Sequence, residues 1–425
     1  MSLDALVRAL SVERKLADWS ARAVYSRAAW LVRGADASSG ERTETALSAV
    51  VHRDSPAGRG SASFTLGTTD ALEEALEAVL MRSAAAIGPA WRTPLPAAPA
   101  KVTIADGDLD AAGLARAPTE IADQVAAASK AAGAELVELR VEVAIEAVRV
   151  VTHAGLDGRW PATRLTFDAR LRRDGAVARV RRTVRRRNDL AVGVVIADAV
   201  DAGVRRARAL APPSGRIPVV VRPAALLHGG RGFFEALVAQ ADPALERQGL
   251  VRYRPGQPIA SGSTTGEEPL TVTSDGTLPF GLRSAPLDEH GAAVRRFELV
   301  GRGVARDLAL DGREAALRET SPNGGVRGIV VGAGGQPEAA LLGGGPLLVV
   351  EAWSWFELAP VTGDFRASIA LGRLIDSGGS HDVTGGVVRG DALAALARSR
   401  RSRELVTTPE YRGPATWYLG DLSVD

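Results

Sequence analysis

Five histidines, His52, His153, His228, His290 and His381, and no cysteine bound the metal and nucleophile chemistry open to this 425-residue chain. Without sulfur it has no disulfide, no thiolate nucleophile and no zinc site that needs a thiolate. No two of the histidines stand at metal-ligand spacing. A non-local metal cluster would have to recruit Glu235, Asp288, His290 and His381, the only plausible donors around His228. No Gly-x-Ser-x-Gly elbow is present, and local sequence marks out no Ser, His and Asp set.

Other chemistry-bearing stretches each have a plainer reading beside the functional one. Arg179, Arg181, Arg182, Arg185, Arg186 and Arg187 form the densest charge cluster. On one strand, 179, 181, 185 and 187 would share a face that could meet phosphates or an acidic partner. No aromatic residues interleave with them, as single-strand binding would want, so a solvated strand face is the better reading. Trp353-Ser354-Trp355-Phe356 is an aromatic knot in a chain with only 4% aromatics. Strand alternation would turn Trp353 and Trp355 one way and Phe356 the other, toward a cavity, an interface or simply the core. Gly332-Ala333-Gly334-Gly335 and Gly343-Gly344-Gly345-Pro346 open no evident helix and read as turns rather than phosphate loops. Glu267-Glu268 sits in a loop-like context and reads as solvated.

The elements that must position these residues fall into two halves. With 46% hydrophobic and 24% charged residues, and a formal net charge of +2, the chain has an ordinary globular composition. Lysine occurs only at Lys15, Lys101 and Lys130. So strong an arginine preference points to a GC-rich genome before it points to a function. The opening segment places Leu3, Leu6, Val7 and Leu10 at helical spacing among charges, an amphipathic helix and not a signal peptide. No stretch approaches the roughly 18 apolar residues of a membrane span, so a soluble, cytoplasmic protein is expected. Strands are expected at 28–33, 43–52, 61–66, 137–145, 164–172 and 176–187, the last two joined by Arg173-Asp174-Gly175. Helices are expected after an Asp70 N-cap, near 119–132 and over 197–210, with a Pro- and Ala-rich linker at 89–99. Pro212-Pro213-Ser214-Gly215 punctuates the chain, giving an N-terminal domain of residues 1–211 and a C-terminal domain of residues 216–425. The second half carries a helix near 232–240 and otherwise reads as short strands between Gly-rich turns. The fold class is α+β: helices on a twisted antiparallel sheet, then a β-rich domain.

Several phrases, in this order, resemble the TldD/PmbA peptidase family. They are Gly58-Arg59-Gly60-Ser61-Ala62-Ser63-Phe64, the loose match His153-Ala154-Gly155, and Asp288-Glu289-His290-Gly291 with the Val294-Arg295-Arg296-Phe297 and Gly301-Arg302-Gly303-Val304 that follow. Pro360-Val361-Thr362-Gly363-Asp364-Phe365 completes the set. In the catalytic TldD branch a helix carries His-Glu-x-x-x-His, which binds zinc and supplies the general base. The stretch here that is similar runs from Leu226 to Glu235, and only His228 matches. Gly229 stands in place of the glutamate and Phe233 in place of the second histidine, while the family's cysteine ligand has no counterpart. A hydrolytic zinc needs about three protein ligands and a carboxylate to take a proton from its water.

The resemblance therefore implies the non-catalytic TldE/PmbA branch, with no metal or catalytic residue of its own and zinc held by a TldD-like partner subunit. It implies a dimeric, hollow assembly that takes an unfolded or ribosomally made precursor peptide in extended form against sheet edges. Trp353, Trp355, Arg231 and Glu235 are the candidate peptide or partner contacts. Two alternatives stand beside it. One is a self-sufficient metallopeptidase with relocated ligands. The other is a nucleic-acid-binding regulator, in line with the family's older description as a modulator of DNA gyrase, although the arginine cluster gives it little support.

Overall fold

The computed structural model describes residues 2–67, 71–261, 263, 268–343 and 345–425. The expected Asp70 cap, Glu267 and Gly344 lie outside them. The first half is built on one antiparallel sheet of seven strands, ordered β4-β3-β2-β1-β5-β6-β7. Its elements are α1 (Leu3–Val12), β1 (Asp18–Arg33), β2 (Ser38–Ser55), β3 (Gly58–Leu66), α2 (Leu72–Ala85) and β4 (Ile87–Gly88). They continue through α3 (Ala111–Ala131), β5 (Glu135–Thr152), β6 (Asp157–Arg173), β7 (Ala176–Val184) and α4 (Val192–Arg208). The strands run well past the sequence-based expectation, because polar residues on the open face hide the continuation of each apolar face. The β6–β7 turn forms as expected, with Asp174 and Gly175 both at positive φ.

All four helices lie on one face of this sheet. Leu3, Leu6 and Leu10 of α1 and Val79 of α2 cover Trp19, Ala21, Leu47 and Val51 at one end. Leu114, Ile121 and Val125 of α3 and Ile196 of α4 cover Leu139, Val141 and Phe167 at the other. Helix α3 begins eight residues before the expected start and carries Pro118 inside it; Asp110 caps it by accepting from Gly113 N–H at 2.6 Å. Strand β7 ends at Val184, so Arg185, Arg186 and Arg187 lie beyond it, contrary to the expected single stripe.

The second half contains β8 (Gly215–Val221), α5 (Pro223–Leu226), α6 (Phe234–Gln240), α7 (Pro243–Arg247), β9 (Val272–Asp275), β10 (Arg296–Gly301), β11 (Val304–Ala305) and α8 (Gly312–Leu317). It continues with β12 (Gly328–Val331), α9 (Glu338–Leu341), β13 (Leu347–Leu358), β14 (Asp364–Asp376), β15 (Gly379–Asp391) and α10 (Ala392–Ala397). It ends in β16 (Arg400–Arg401), β17 (Leu405–Thr407), β18 (Tyr411–Pro414) and β19 (Trp417–Val424). Two six-stranded sheets, β11-β10-β9-β12-β18-β17 and β15-β14-β13-β8-β19-β16, enclose one core. An extra pairing of β15 with β19 closes the second sheet on itself. Strands β13, β14 and β15 have 12, 13 and 13 residues, longer than the short strands expected. Bulges at Val350, Ala352 and Trp353, and glycines such as Gly372, Gly385 and Gly386, break the alternation that would have announced them.

The halves are joined on polar as well as apolar contacts. The Arg205 guanidinium of α4 donates to Glu351 of β13 at 2.8 and 2.9 Å and to Asp382 of β15 at 2.6 Å. This pairing holds the Asp382 carboxyl below its usual range. Arg205→Ala leaves two facing carboxylates without their shared cation. A loss of about 2 kcal/mol in unfolding free energy is expected, read by urea titration at neutral pH.

Candidate functional site

The degenerate motif occupies a break between helices. After α5, His228, Gly229 and Gly230 make a single 3-10 turn, and Gly229, Gly230 and Gly232 all sit at positive φ. A Cβ at Gly232 would lie 2.0 Å from the Leu226 carbonyl oxygen, so only glycine lets the chain turn back there. The return is fixed by Phe233 N–H donating to Leu226 O at 3.0 Å. No helix runs from 228 to 233, and residues 228 and 233 are not on one helical face.

Phe233 is fully buried, with its ring 4.7 Å from Phe365 and 5.1 Å from Phe356. His228 is half-buried at the rim of the same cluster, its ring centroid 6.1 Å from that of Phe356. Burial holds its imidazole below the usual range. It therefore lies beside an aromatic ring. Zinc does not fit these residues: one imidazole faces an aromatic core, and among the described residues no three His, Asp or Glu side chains come together to hold a metal.

The four candidate contact residues do not form one surface. The Trp353 side chain is buried, and its indole N–H donates to Ala225 O at 3.0 Å. Trp355 is 38% exposed and faces the other way. Trp353 pairs with Ile369 and Trp355 with Ser368, so Ser354 is an inserted residue and the expected alternation fails. Phe356, not Trp355, accompanies Trp353 into the core. Arg231 is a partly buried brace that donates to Val326 O at 2.6 Å, 3.7 Å from the half-exposed Glu235. Glu268 is not a free surface carboxylate, since it accepts from the backbone N–H groups of Gly335 and Arg401 at 2.9 and 3.0 Å.

The arginine cluster is largely consumed by the protein. Arg179 pairs with Asp168 at 2.8 Å, Arg186 with Asp189 at 2.7 Å and Arg187 with Glu120 at 2.6 Å. Arg185 reaches across to the second half and donates to Gly281 O and Leu282 O, both at 3.0 Å. Arg182 donates to Asp189 O at 3.1 Å.

A second site emerges that sequence reading missed. A cavity of about 380 Å³ lies where the helix-free face of the first sheet meets the linker at 91–97, the loop at 290–295, the start of α8 and the loop at 320–322. Asp18, His52 and Ser61 stand side by side there on β1, β2 and β3. His52 Nδ1 is 2.9 Å from Ser61 Oγ, and the Trp91 ring packs edge-on at 4.8 Å between centroids. Asp18 accepts from Trp19 N–H at 2.7 Å and from the Thr93 hydroxyl, with Arg59 at 3.4 Å and His153 at 3.8 Å. Burial, then the nearby positive groups Arg59, His290 and Arg313, push His52 down to about 3. The Asp18 carboxylate is engaged by Trp19, Thr93, Arg59 and His153 and not by His52, so the row lacks the carboxylate–imidazole link of a Ser-His-Asp triad. No signal within any one segment could have found it, because the residues meet only through strand register.

Residues 214–424 match the PmbA/TldA metallopeptidase C-terminal domain. A crystal structure from Thermotoga maritima, named for a proposed role as a modulator of a DNA gyrase, is 15% identical with a TM-score of 0.78, covering 100% of this chain and 99% of its own. A structure from Bacteroides thetaiotaomicron, named in the same way, is 16% identical with a TM-score of 0.78 and coverages of 100% and 98%. TldE from Thermococcus kodakarensis is 16% identical with a TM-score of 0.74 and coverages of 100% and 99%. At such identities the likeness speaks for the fold. No curated protein matches the sequence.

Two outcomes follow from these geometries. Phe233→His puts a polar ring into a filled aromatic core; it should lose about 3 kcal/mol in thermal or urea unfolding and gain no zinc by elemental analysis. His52 titrates near 6.5 when unfolded and near 3 when folded, so the unfolded chain binds more protons between those values. Its contribution is complete above about pH 6.5 and is lost as pH falls toward 3, with a slope of at most about 1.4 kcal/mol per pH unit. Urea unfolding between pH 7 and 4 should show a shallower decline for His52→Gln than for the parent chain.

Proposed function

Through residues 214–424 the chain belongs to the PmbA/TldD metallopeptidase family, and from that premise we propose that it is the non-catalytic, TldE/PmbA-like subunit of a two-subunit zinc peptidase. In this reading a TldD-like partner holds the zinc, and the pair cuts unfolded or ribosomally made precursor peptides in the cytoplasm. Residues 1–211 and 216–425 act as its two domains.

The observation that carries the reading is Phe233. Its ring is fully buried where the resemblance would put the second zinc histidine, and the left-handed glycines at 229, 230 and 232 keep residues 228 to 233 from forming one helix. The fit to TldE over the full chain supports the same branch. Among the described residues no helix is long and apolar enough to cross a membrane. Relocated ligands find little support in the arrangement of the described histidines and carboxylates. A nucleic-acid role finds little in an arginine run whose members are paired with Asp168, Asp189 and Glu120.

The test is purification of this chain with and without the TldD-like protein of the same genome. Zinc content and cleavage of an unfolded peptide are then measured for each chain and for the pair. The expected result is zinc and chelator-sensitive cleavage only when the partner is present. About one zinc per molecule and activity in this chain alone would overturn the assignment.

A further inference from the structure

The interdomain cavity has an imbalance of charge that its own side chains do not correct. Both acids on its wall are spent on the protein: Asp18 as described, and Asp311 by accepting from Glu314 N–H at 2.8 Å at the cap of α8. Its two arginines are not. Among the described residues, neither the Arg295 nor the Arg313 guanidinium has a carboxylate within 4.0 Å or a hydrogen-bond acceptor, and Arg313 Nε is buried without a partner. Arg313 extends from the second half to the edge of the first, where its Nη2 is 2.9 Å from the point a Cβ on Gly88 would occupy. The opposite wall is apolar. Trp91 is fixed between His52 and the Arg59 guanidinium, which lies 4.4 Å over its ring, and Leu95 beside it is 89% exposed on the Pro-rich strap.

An unpaired guanidinium beside a low-dielectric wall attracts a planar oxyanion, to which it can donate two parallel hydrogen bonds. An exposed leucine and an indole want hydrocarbon. A volume of about 380 Å³ suits a small molecule or the end of a chain, placed between domains where such sites concentrate. We propose that this cavity binds an apolar carboxylate, with its hydrocarbon against Trp91 and Leu95 and its carboxylate at Arg295 and Arg313. Resting on the peptide-processing role proposed above, the source of that carboxylate is the C-terminus of a peptide with an apolar last residue. The subunit then holds a substrate by its tail, away from the zinc. The guanidinium groups of Arg295 and Arg313 supply the attracting potential, and His52, held low first by burial, adds no positive charge of its own.

The test uses the full chain without a partner, with tryptophan fluorescence and calorimetry as readouts, since Trp19 and Trp91 line the cavity. The probes are N-acetyl-Leu-Leu with a free carboxylate, the same peptide as its C-terminal amide, and 3-phenylpropanoate. The acid should bind saturably and at least about tenfold more tightly than the amide, and more weakly as salt rises. Arg295→Gln, on an exposed side chain, and Arg313→Gln should each reduce binding of the acid about tenfold with an unchanged unfolding midpoint. If 3-phenylpropanoate binds more tightly than the peptide acid, the carboxylate site stands and the peptide source is overturned. If acid and amide bind alike, if both variants bind normally, or if no probe binds at millimolar concentration, the site itself is overturned. Because no cleavage is measured, failure here is distinct from failure of the paired peptidase assay.

Discussion

The second half is organised around the burial of Phe233. The ring can enter the core only because Gly232 takes a left-handed conformation and lets the backbone pass against Leu226 at a distance no side chain would permit. Once there, it ties α6 to β13 and β14 through Phe356 and Phe365. The adjacent Phe234 reaches Tyr411 and Trp417, 5.9 and 5.6 Å between ring centroids, on the last strands of each sheet. One turn thus connects both sheets through a continuous aromatic seam, and edge-on ring contacts of this kind add to the area they bury. A polar side chain in place of Phe233 would remove the centre of that seam.

The two halves are joined differently. Arg185 and Arg205 both cross the boundary, one to backbone carbonyls and one to a pair of carboxylates. Val150, Leu287 and Ala293 form a small apolar cluster between them. Ala97 at the end of the strap packs on this cluster, and Ala293 of the cluster also lines the cavity. The charge left at the junction is chiefly arginine, as a chain with almost no lysine would produce. Guanidinium is less strongly hydrated than ammonium and tolerates such half-buried positions with imperfect pairing.

The α+β class, the twisted antiparallel sheet and the turn at Asp174-Gly175 were legible because each rests on local signals: alternation, a cap or a turn pair. The stretch His228 to Phe233 could be compared with a metal motif residue by residue, since that comparison depends only on identity at 228, 229 and 233. What escaped was non-local. The outward turn of Trp355 needs a bulge at Ser354, which is visible only against the partner strand. The arginine run looked like a stripe until β7 ended at Val184 and its members found acids on α3 and β6. The row of Asp18, His52 and Ser61 comes from three separate strands, and no spacing in the chain encodes their register.

The closure of the second sheet has a consequence for how the molecule is made. Strand β8 pairs in parallel with β13, Val219 beside Leu348, and in antiparallel fashion with β19, Val221 beside Trp417. Its two neighbours are therefore made well after it, β13 first and β19 later still. The first sheet is two runs of sequence neighbours, β1 to β4 and β5 to β7, joined by β1 against β5, and all its strands have been made by Val184. Strand β8, with Val219, Val220 and Val221 unpaired, must wait as an open and sticky edge until 417–424 emerge. During translation the nascent chain is thus a folded N-terminal body trailing an aggregation-prone segment, and its yield in a cell depends on what shields that segment in the interval.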